Sequence, residues 1–271
     1  MRKNPMLFCA VLATSPSFAQ QQSLDVFSLR PPLVALHRGG IGGISSNTLE
    51  RFKIALNQKP EIIEMDLRST KDGVAVIFHD PELDQDTNCK GPVEQMLYKD
   101  LQNCKLSRSG HQIPTFEQAV QLINGKKIID AEFKNIHVVE PALKVLKQMR
   151  AHSWVYFQTK SDPEIFLRAR SIDDDVALLF KADDKQDLDW ALNLRDSRLI
   201  IIEFDEKMMS PENLRVVRKA GKLIRANAWK FDPTKELFTA NCKELFRWGV
   251  SIAHTNKGNS CFDQKRFYRE P

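Results

Sequence analysis

Apolar runs of four to six residues recur along this chain of 271 residues, and several of them end in polar or charged pairs. His37 and Arg38 follow the run at 33–36, Glu64 and Asp66 alternate within 62–67, His79 and Asp80 follow 74–78, and Glu132 and Lys134 close 128–133. Runs this short, rich in β-branched residues, read as strands, while the segments at 48–56, 116–123, 138–149 and 237–248 carry their apolar residues at helical spacing. Further strand candidates at 155–158, 176–180, 199–204, 223–228 and 250–254 bring the pattern to eight strand and helix units. Such alternation folds as a parallel sheet wrapped by helices, and a chain of this length suits an α/β TIM (β/α)8 barrel in a single domain. The run at 74–78 comes directly after the turn signal Asp72-Gly73 and is expected to fold back on the second strand as a hairpin that carries His79 to the rim.

In a parallel barrel the carboxyl ends of the strands share one face, so the polar pairs are expected to meet there. Alternation puts Glu64 and Asp66 on the same side of their strand, about 7 Å apart along the chain; Glu132, Lys134 and Asp130 share a side of theirs. Carboxylates gathered on a buried face require a cation. Oxygen donors without a cysteine or histidine cluster favour a hard ion, Mg2+ or Ca2+, over zinc. Arg38 and Lys134 supply fixed positive charge for phosphate oxygens. His37 and His79 titrate near neutrality, so in opposite protonation states they can take one proton and give another. This is the inventory for metal-assisted cleavage of a phosphodiester.

The same residues carry a resemblance. His37-Arg38-Gly39, then Asn47-Thr48, Glu64-Met65-Asp66, Thr70-Lys71-Asp72-Gly73 running into His79-Asp80, Ile113-Pro114-Thr115 and Ala131-Glu132-Phe133-Lys134 stand in the order found in the glycerophosphodiester phosphodiesterase family, which the chain resembles. The resemblance implies a TIM barrel, hydrolysis of glycerophosphodiesters to glycerol 3-phosphate and an alcohol, and a divalent metal. It implies Glu64, Asp66 and Glu132 as metal ligands, His37 and His79 as acid and base, and Arg38 and Lys134 as phosphate binders. Trp229 resembles the aromatic of the family's Trp-Thr motif, where a flat ring covers substrate or holds a quaternary ammonium. Sphingomyelinase D enzymes are similar in barrel and histidines; against a lipid phosphodiesterase stand short loops and the lack of an amphipathic membrane segment. A catalytically silent binding protein on the same barrel is the other alternative.

The chain also departs from the family pattern. Ser45-Ser46 stand where Pro-Glu is common, Gln85-Asp86-Thr87-Asn88 where Arg-Thr-Thr-Asn is usual, and Thr255-Asn256 where a closing Thr-Asp is expected. Ser46 or Asn47 is expected to cap the first helix with Glu50 in capping-box reach; Thr115 with Gln118, Ser161 with Glu164, and Ser210 before Pro211 mark other starts. Glu203 and Asp205 share a strand face, Glu203 reading equally as a site carboxylate or a barrel salt bridge, and His254 reads as structural.

Arg2-Lys3, a short apolar stretch and Ser17-Phe18-Ala19 read as a signal peptide over 1–19, leaving the barrel domain at 20–271 and placing it in the periplasm or outside the cell. The four cysteines beyond the leader suit an oxidising compartment, with local pairs Cys89–Cys104 and Cys242–Cys261 the economical guess. The formal net charge is +5, two of it from Arg2 and Lys3, with both signs interspersed. The expected partner is therefore a small glycerophosphodiester, with no nucleic acid and no stable membrane insertion.

Overall fold

The computed structural model describes residues 24–228 and 238–270. Both the leader at 1–19 and Trp229 lie outside the described residues. Among the described residues, eight parallel strands close into a barrel: β1 (Leu33–Leu36), β2 (Ile62–Ser69), β4 (Ile128–Phe133), β5 (Val155–Gln158), β6 (Ala177–Ala182), β7 (Leu199–Phe204), β8 (Leu223–Asn227) and β9 (Ile252–Thr255). Each pairs with the next, and β9 and β2 both pair with β1 to close the ring. The short β3 (Ala75–Ile77) runs antiparallel to the far end of β2, which is the expected hairpin. Its pairing is what extends β2 to Ser69. The helices between strands include α1 (Leu49–Leu56), α3 (Phe116–Ile123), α4 (Val139–Gln148), α5 (Pro163–Ile172), α6 (Lys185–Asn193), α7 (Pro211–Lys219) and α8 (Phe238–Arg247). No helix among the described residues is long and apolar enough to cross a membrane.

Alternation along the strands sorts the barrel into an outer apolar shell and a tiered interior. Ile63, Met65, Ile129, Phe133, Phe157 and Phe180 face outward and are buried beneath the helices. Inside, the amino-terminal halves contribute Ile62, Ile128, Tyr156, Ala177, Leu179 and Ile201, an apolar plug closed from below by Val26. The carboxyl halves contribute charge. Arg225, 1% exposed, sits between Asp130 and Glu203, ion-paired to both, and donates to Gln158 Oε1 at 2.8 Å. The Glu203 expectation thus resolves to a barrel salt bridge, while Asp205 instead caps the following turn by accepting from the Lys207 backbone N–H.

Several local expectations need correction. Thr48, not Ser46 or Asn47, caps α1, accepting from Arg51 N at 3.1 Å, because Asn47 adopts a left-handed φ of 59° that points its amide elsewhere. Asp162 rather than Ser161 caps α5, since the carboxylate reaches both the Glu164 and Ile165 N–H groups ahead of Pro163. The last strand begins at Ile252 rather than Val250: the N–H groups of Gly249 and Val250 donate back to Phe246 and Leu245, so these residues finish α8. Nor are all loops short. Between β3 and α3 the chain makes a long excursion with its own apolar cluster, including Phe78, Leu83, Val93, Leu101 and Leu106, and with α2 (Tyr98–Leu101).

Both expected disulfides form: Cys89–Cys104 within that excursion, and Cys242–Cys261, which ties α8 to α9 (Gly258–Phe262). Closing the loop of 15 residues between the first pair contributes about 3 kcal/mol in the chain-entropy model.

The Arg225 pairing gives a stability prediction. Arg225→Met strands two buried carboxylates and is expected to cost about 3–5 kcal/mol in urea unfolding. Adding Asp130→Asn and Glu203→Gln to it should recover part of that loss, and a double-mutant cycle reads the coupling.

Candidate active site

Three left-handed residues aim the groups at the mouth of the barrel. Directly after β1, Arg38 takes φ 50°, ψ 32°, which turns its backbone N–H onto Glu64 Oε2 at 2.7 Å and leaves its side chain facing Asp66. Gly39 and Gly40 follow at φ 76° and 90°, a sharp turn that residues with a Cβ would resist. Asn47, at φ 59°, donates its side-chain N–H to Asp66 Oδ2 at 2.7 Å. Asparagine tolerates that conformation better than most residues. Lys160, at φ 52° after β5, brings Nζ to 3.2 Å from Glu132 Oε1.

The β2–β4 register sets Asp66 beside Glu132 and Glu64 beside Asp130. Glu64, Asp66 and Glu132 each offer a carboxylate oxygen, all three within 4.8 Å of one another. Lys134 Nζ lies 2.7 Å from Glu132 Oε1 and 3.3 Å from Asp66 Oδ1, and Arg38 Nε lies 2.8 Å from Asp66 Oδ2. Burial pushes the Asp66 carboxyl up, but Lys134 and Arg38, with His79 and the Asn47 amide, outweigh it and hold the group below its ordinary range. Glu64 accepts the Arg38 backbone N–H and lies 3.5 Å from His254 Nε2. Burial, followed by the charges of Asp66, Asp130 and Glu132, lifts its pKa well above the ordinary range. A compact set of three oxygen donors, one of them raised by burial and by its acidic neighbours, fits a hard divalent cation.

His37 is oriented by Asn256, whose Oδ1 lies 2.7 Å from Nδ1; burial, then the Arg38 charge, lowers the imidazole to about 4. His79 is oriented by Asp80, whose carboxylate lies 2.5 Å from Nδ1. His254, expected to be structural, is buried with Nδ1 bonded to Asn227 Oδ1 at 2.7 Å and its ring edge-to-face with His37 at 5.1 Å. Asn227 in turn donates to Glu203 at 2.8 Å. His37, Arg38, Asp66, His79, Glu132 and Lys134 line one cavity of about 400 Å3, which Lys160, Lys181 and Asp183 border on the far side.

Every sequence-predicted site residue within the described segments is therefore brought to this mouth. Sequence reasoning missed the positioning residues Asn47, Asp80 and Asn256 and the rim lysines Lys160 and Lys181. Asn47, Asp80 and Asn256 stand within or beside the motifs and were readable as neighbours; the lysines carry no motif.

The sequence profile of the glycerophosphoryl diester phosphodiesterase family matches residues 37–250. A glycerophosphodiester phosphodiesterase of Bacillus altitudinis is 34% identical over 107 residues, 36% of this chain and 44% of that protein; the chain spans about half the length of the first curated relatives it matches. In fold it is similar to a glycerophosphoryl diester phosphodiesterase of Parabacteroides distasonis (TM-score 0.71, 24% identity, 87% and 86% of the two chains). It is likewise similar to an Oleispira antarctica phosphodiesterase solved with the product sn-glycerol-3-phosphate (TM-score 0.72, 18% identity, 86% and 96%).

The raised carboxyls carry a pH-dependent prediction. Asp130 is lifted by burial from 3.8 to about 7, against the pull of Arg225, and Glu64 is lifted too. A raised carboxyl keeps its proton to higher pH in the native state than in the unfolded chain, so its contribution to stability falls as pH rises, for Asp130 between 3.8 and about 7. A divalent cation on Glu64 competes with its proton. Added Mg2+ or Ca2+ should therefore raise the melting temperature more at pH 8 than at pH 5.5, with about 2.7 kcal/mol at a hundredfold excess over Kd. An equal shift at both pH values, or one retained in Glu64→Gln, would contradict it. The match over most of the chain settles what kind of barrel this is: the protein belongs to the glycerophosphoryl diester phosphodiesterase family.

Proposed function

We propose that the chain hydrolyses a glycerophosphodiester to glycerol 3-phosphate and an alcohol. The observation that carries the reading is the cluster of Glu64, Asp66 and Glu132 at one barrel mouth, with Arg38 and Lys134 set among the carboxylates and a histidine to either side. Support also comes from the Oleispira antarctica phosphodiesterase of the same fold, which holds sn-glycerol-3-phosphate.

Glu64, Asp66 and Glu132 would hold Mg2+ or Ca2+. When bound, the ion polarises a phosphoryl oxygen and offsets charge developing on phosphorus. Arg38 and Lys134 bind the remaining oxygens, the guanidinium as a fork and the ammonium as a point charge. The two histidines differ in partner, and the difference assigns their roles. His37 gives its Nδ1–H to the neutral Asn256 amide and is held down at about 4, so it is neutral at working pH and presents Nε2 as the base. His79 faces a carboxylate, which stabilises an imidazolium and fits the acid. The base takes its proton from a glycerol hydroxyl, giving a cyclic phosphate first, or from water; the departing alkoxide receives the other proton from His79.

The reading extends to place. Two disulfides suit an oxidising compartment, and with the leader pattern at 1–19 we assign the mature chain to the periplasm or the exterior.

The test is release of glycerol 3-phosphate from glycerophosphocholine with Mg2+, Ca2+ or EDTA. Release is expected with metal and not with EDTA, and His37→Ala and His79→Ala should each lower kcat by about a hundredfold or more. Undiminished turnover in both variants would remove the histidines from the mechanism.

A further inference from the structure

Beside the barrel mouth lies a second, outer cavity of about 530 Å3, and Arg38 and His79 border both it and the inner one. His37 borders the inner cavity. One wall of the outer cavity is Ser45 and Ser46; the facing wall is Asp86, Ser107 and Arg108. That facing wall is a fixed ribbon. Thr87 and Leu106 pair as an antiparallel bridge, the Ser107 N–H donates to the Asp86 carbonyl at 2.9 Å, and the Cys89–Cys104 disulfide staples the strip two residues further on.

The two ester arms of a phosphodiester leave phosphorus in different directions, so a phosphoryl group held at Arg38 and His79 sends one arm into each cavity. The inner floor is built of side chains locked to one another, Gln158 and Asn227 both donating to Glu203. A floor so constrained suits the part of the substrate that does not vary. The outer cavity is lined by hydroxyls, by exposed charges of both signs and by Ile77, Phe78 and Leu106, and His37 borders the inner cavity but not this one. A nucleophile deprotonated by His37 therefore sits on the inner side, and the leaving oxygen in line with it falls toward the outer side, within the lining that His79 shares.

We propose that the outer cavity is the subsite for the departing alcohol, that it takes a polar alcohol of headgroup size, and that Asp86 and Ser107 set the preference, Asp86 by facing a cationic ammonium. The proposal rests on the phosphodiesterase reading above.

The experiment compares kcat/KM for glycerophosphocholine with that for glycerophosphomethanol, whose alcohol is too small to reach the ribbon. Ser107→Trp, an exposed position where folding is not at risk, should lower the choline-to-methyl ratio by about tenfold, the worth of roughly 1.4 kcal/mol of lost alcohol contact, and through KM rather than kcat. Asp86→Asn should lower the same ratio about threefold, within the range of an exposed ion pair, and should leave the ratio of glycerophosphoglycerol to the methyl ester in place. Ratios unchanged in both variants overturn the subsite while the hydrolase reading stands. Failure of the unaltered protein to cleave either ester overturns the reading and the subsite with it.

Discussion

The structure depends on the need of buried carboxylates for positive charge. Glu64, Asp66, Asp130 and Glu203 are each 1% exposed or less and face the closed interior of one barrel, where an unpaired charge costs several kcal/mol. The lower tier is satisfied from within. Arg225 joins Asp130 and Glu203, and Gln158 and Asn227 both donate to Glu203. The upper tier is not: Lys134 and Arg38 serve Asp66 and Glu132, while burial and its acidic neighbours push the Glu64 carboxyl up. One tier holds the barrel together, and the tier above it is left electrically incomplete in the place where a cation and a phosphate would complete it.

Backbone geometry makes that division possible. A strand can present side chains to the axis only at alternate positions, and the mouth needs more groups than eight strand ends supply. The left-handed turns at Arg38 and Lys160, just past β1 and β5, and at Asn47, just ahead of α1, add them. The cost of such conformations is offset by the charge-assisted hydrogen bonds they allow, Arg38 N–H to Glu64 and Asn47 to Asp66 among them.

What could be read from sequence follows from the same physics. Alternation in 62–67 and 128–133 fixes which side chains share a face, so the barrel, the hairpin and the convergence of Glu64, Asp66, Glu132 and Lys134 were all legible. Capping was less so. Asn47 looked like a helix cap because its type suits one, and only the tertiary pull of Asp66 diverts it, leaving the role to Thr48. The excursion after His79 was underestimated for a related reason: its strands are single bridges and its core is a satellite cluster, neither of which makes a periodic pattern. Lys160 and Lys181 had no local signal at all. They matter because of where β5 and β6 end, which only closure of the barrel decides.

The partners of the two histidines give the proposed chemistry a direction. Two imidazoles with equivalent surroundings could exchange roles, and either ester bond of the substrate could then break. Here Asn256 can hold His37 in a tautomer but cannot offset an imidazolium charge, whereas Asp80 can do both for His79. The amide therefore goes with the proposed base, and the carboxylate with the proposed acid. His37 borders the inner cavity and not the outer one, so in the proposed reaction the nucleophile lies on the inner side and the ester oxygen that His79 would protonate is the one whose alcohol points outward. In the proposed reaction the same asymmetry that assigns acid and base would select which bond is cleaved, and would leave the glycerol phosphate beside the three carboxylates until the alcohol had gone.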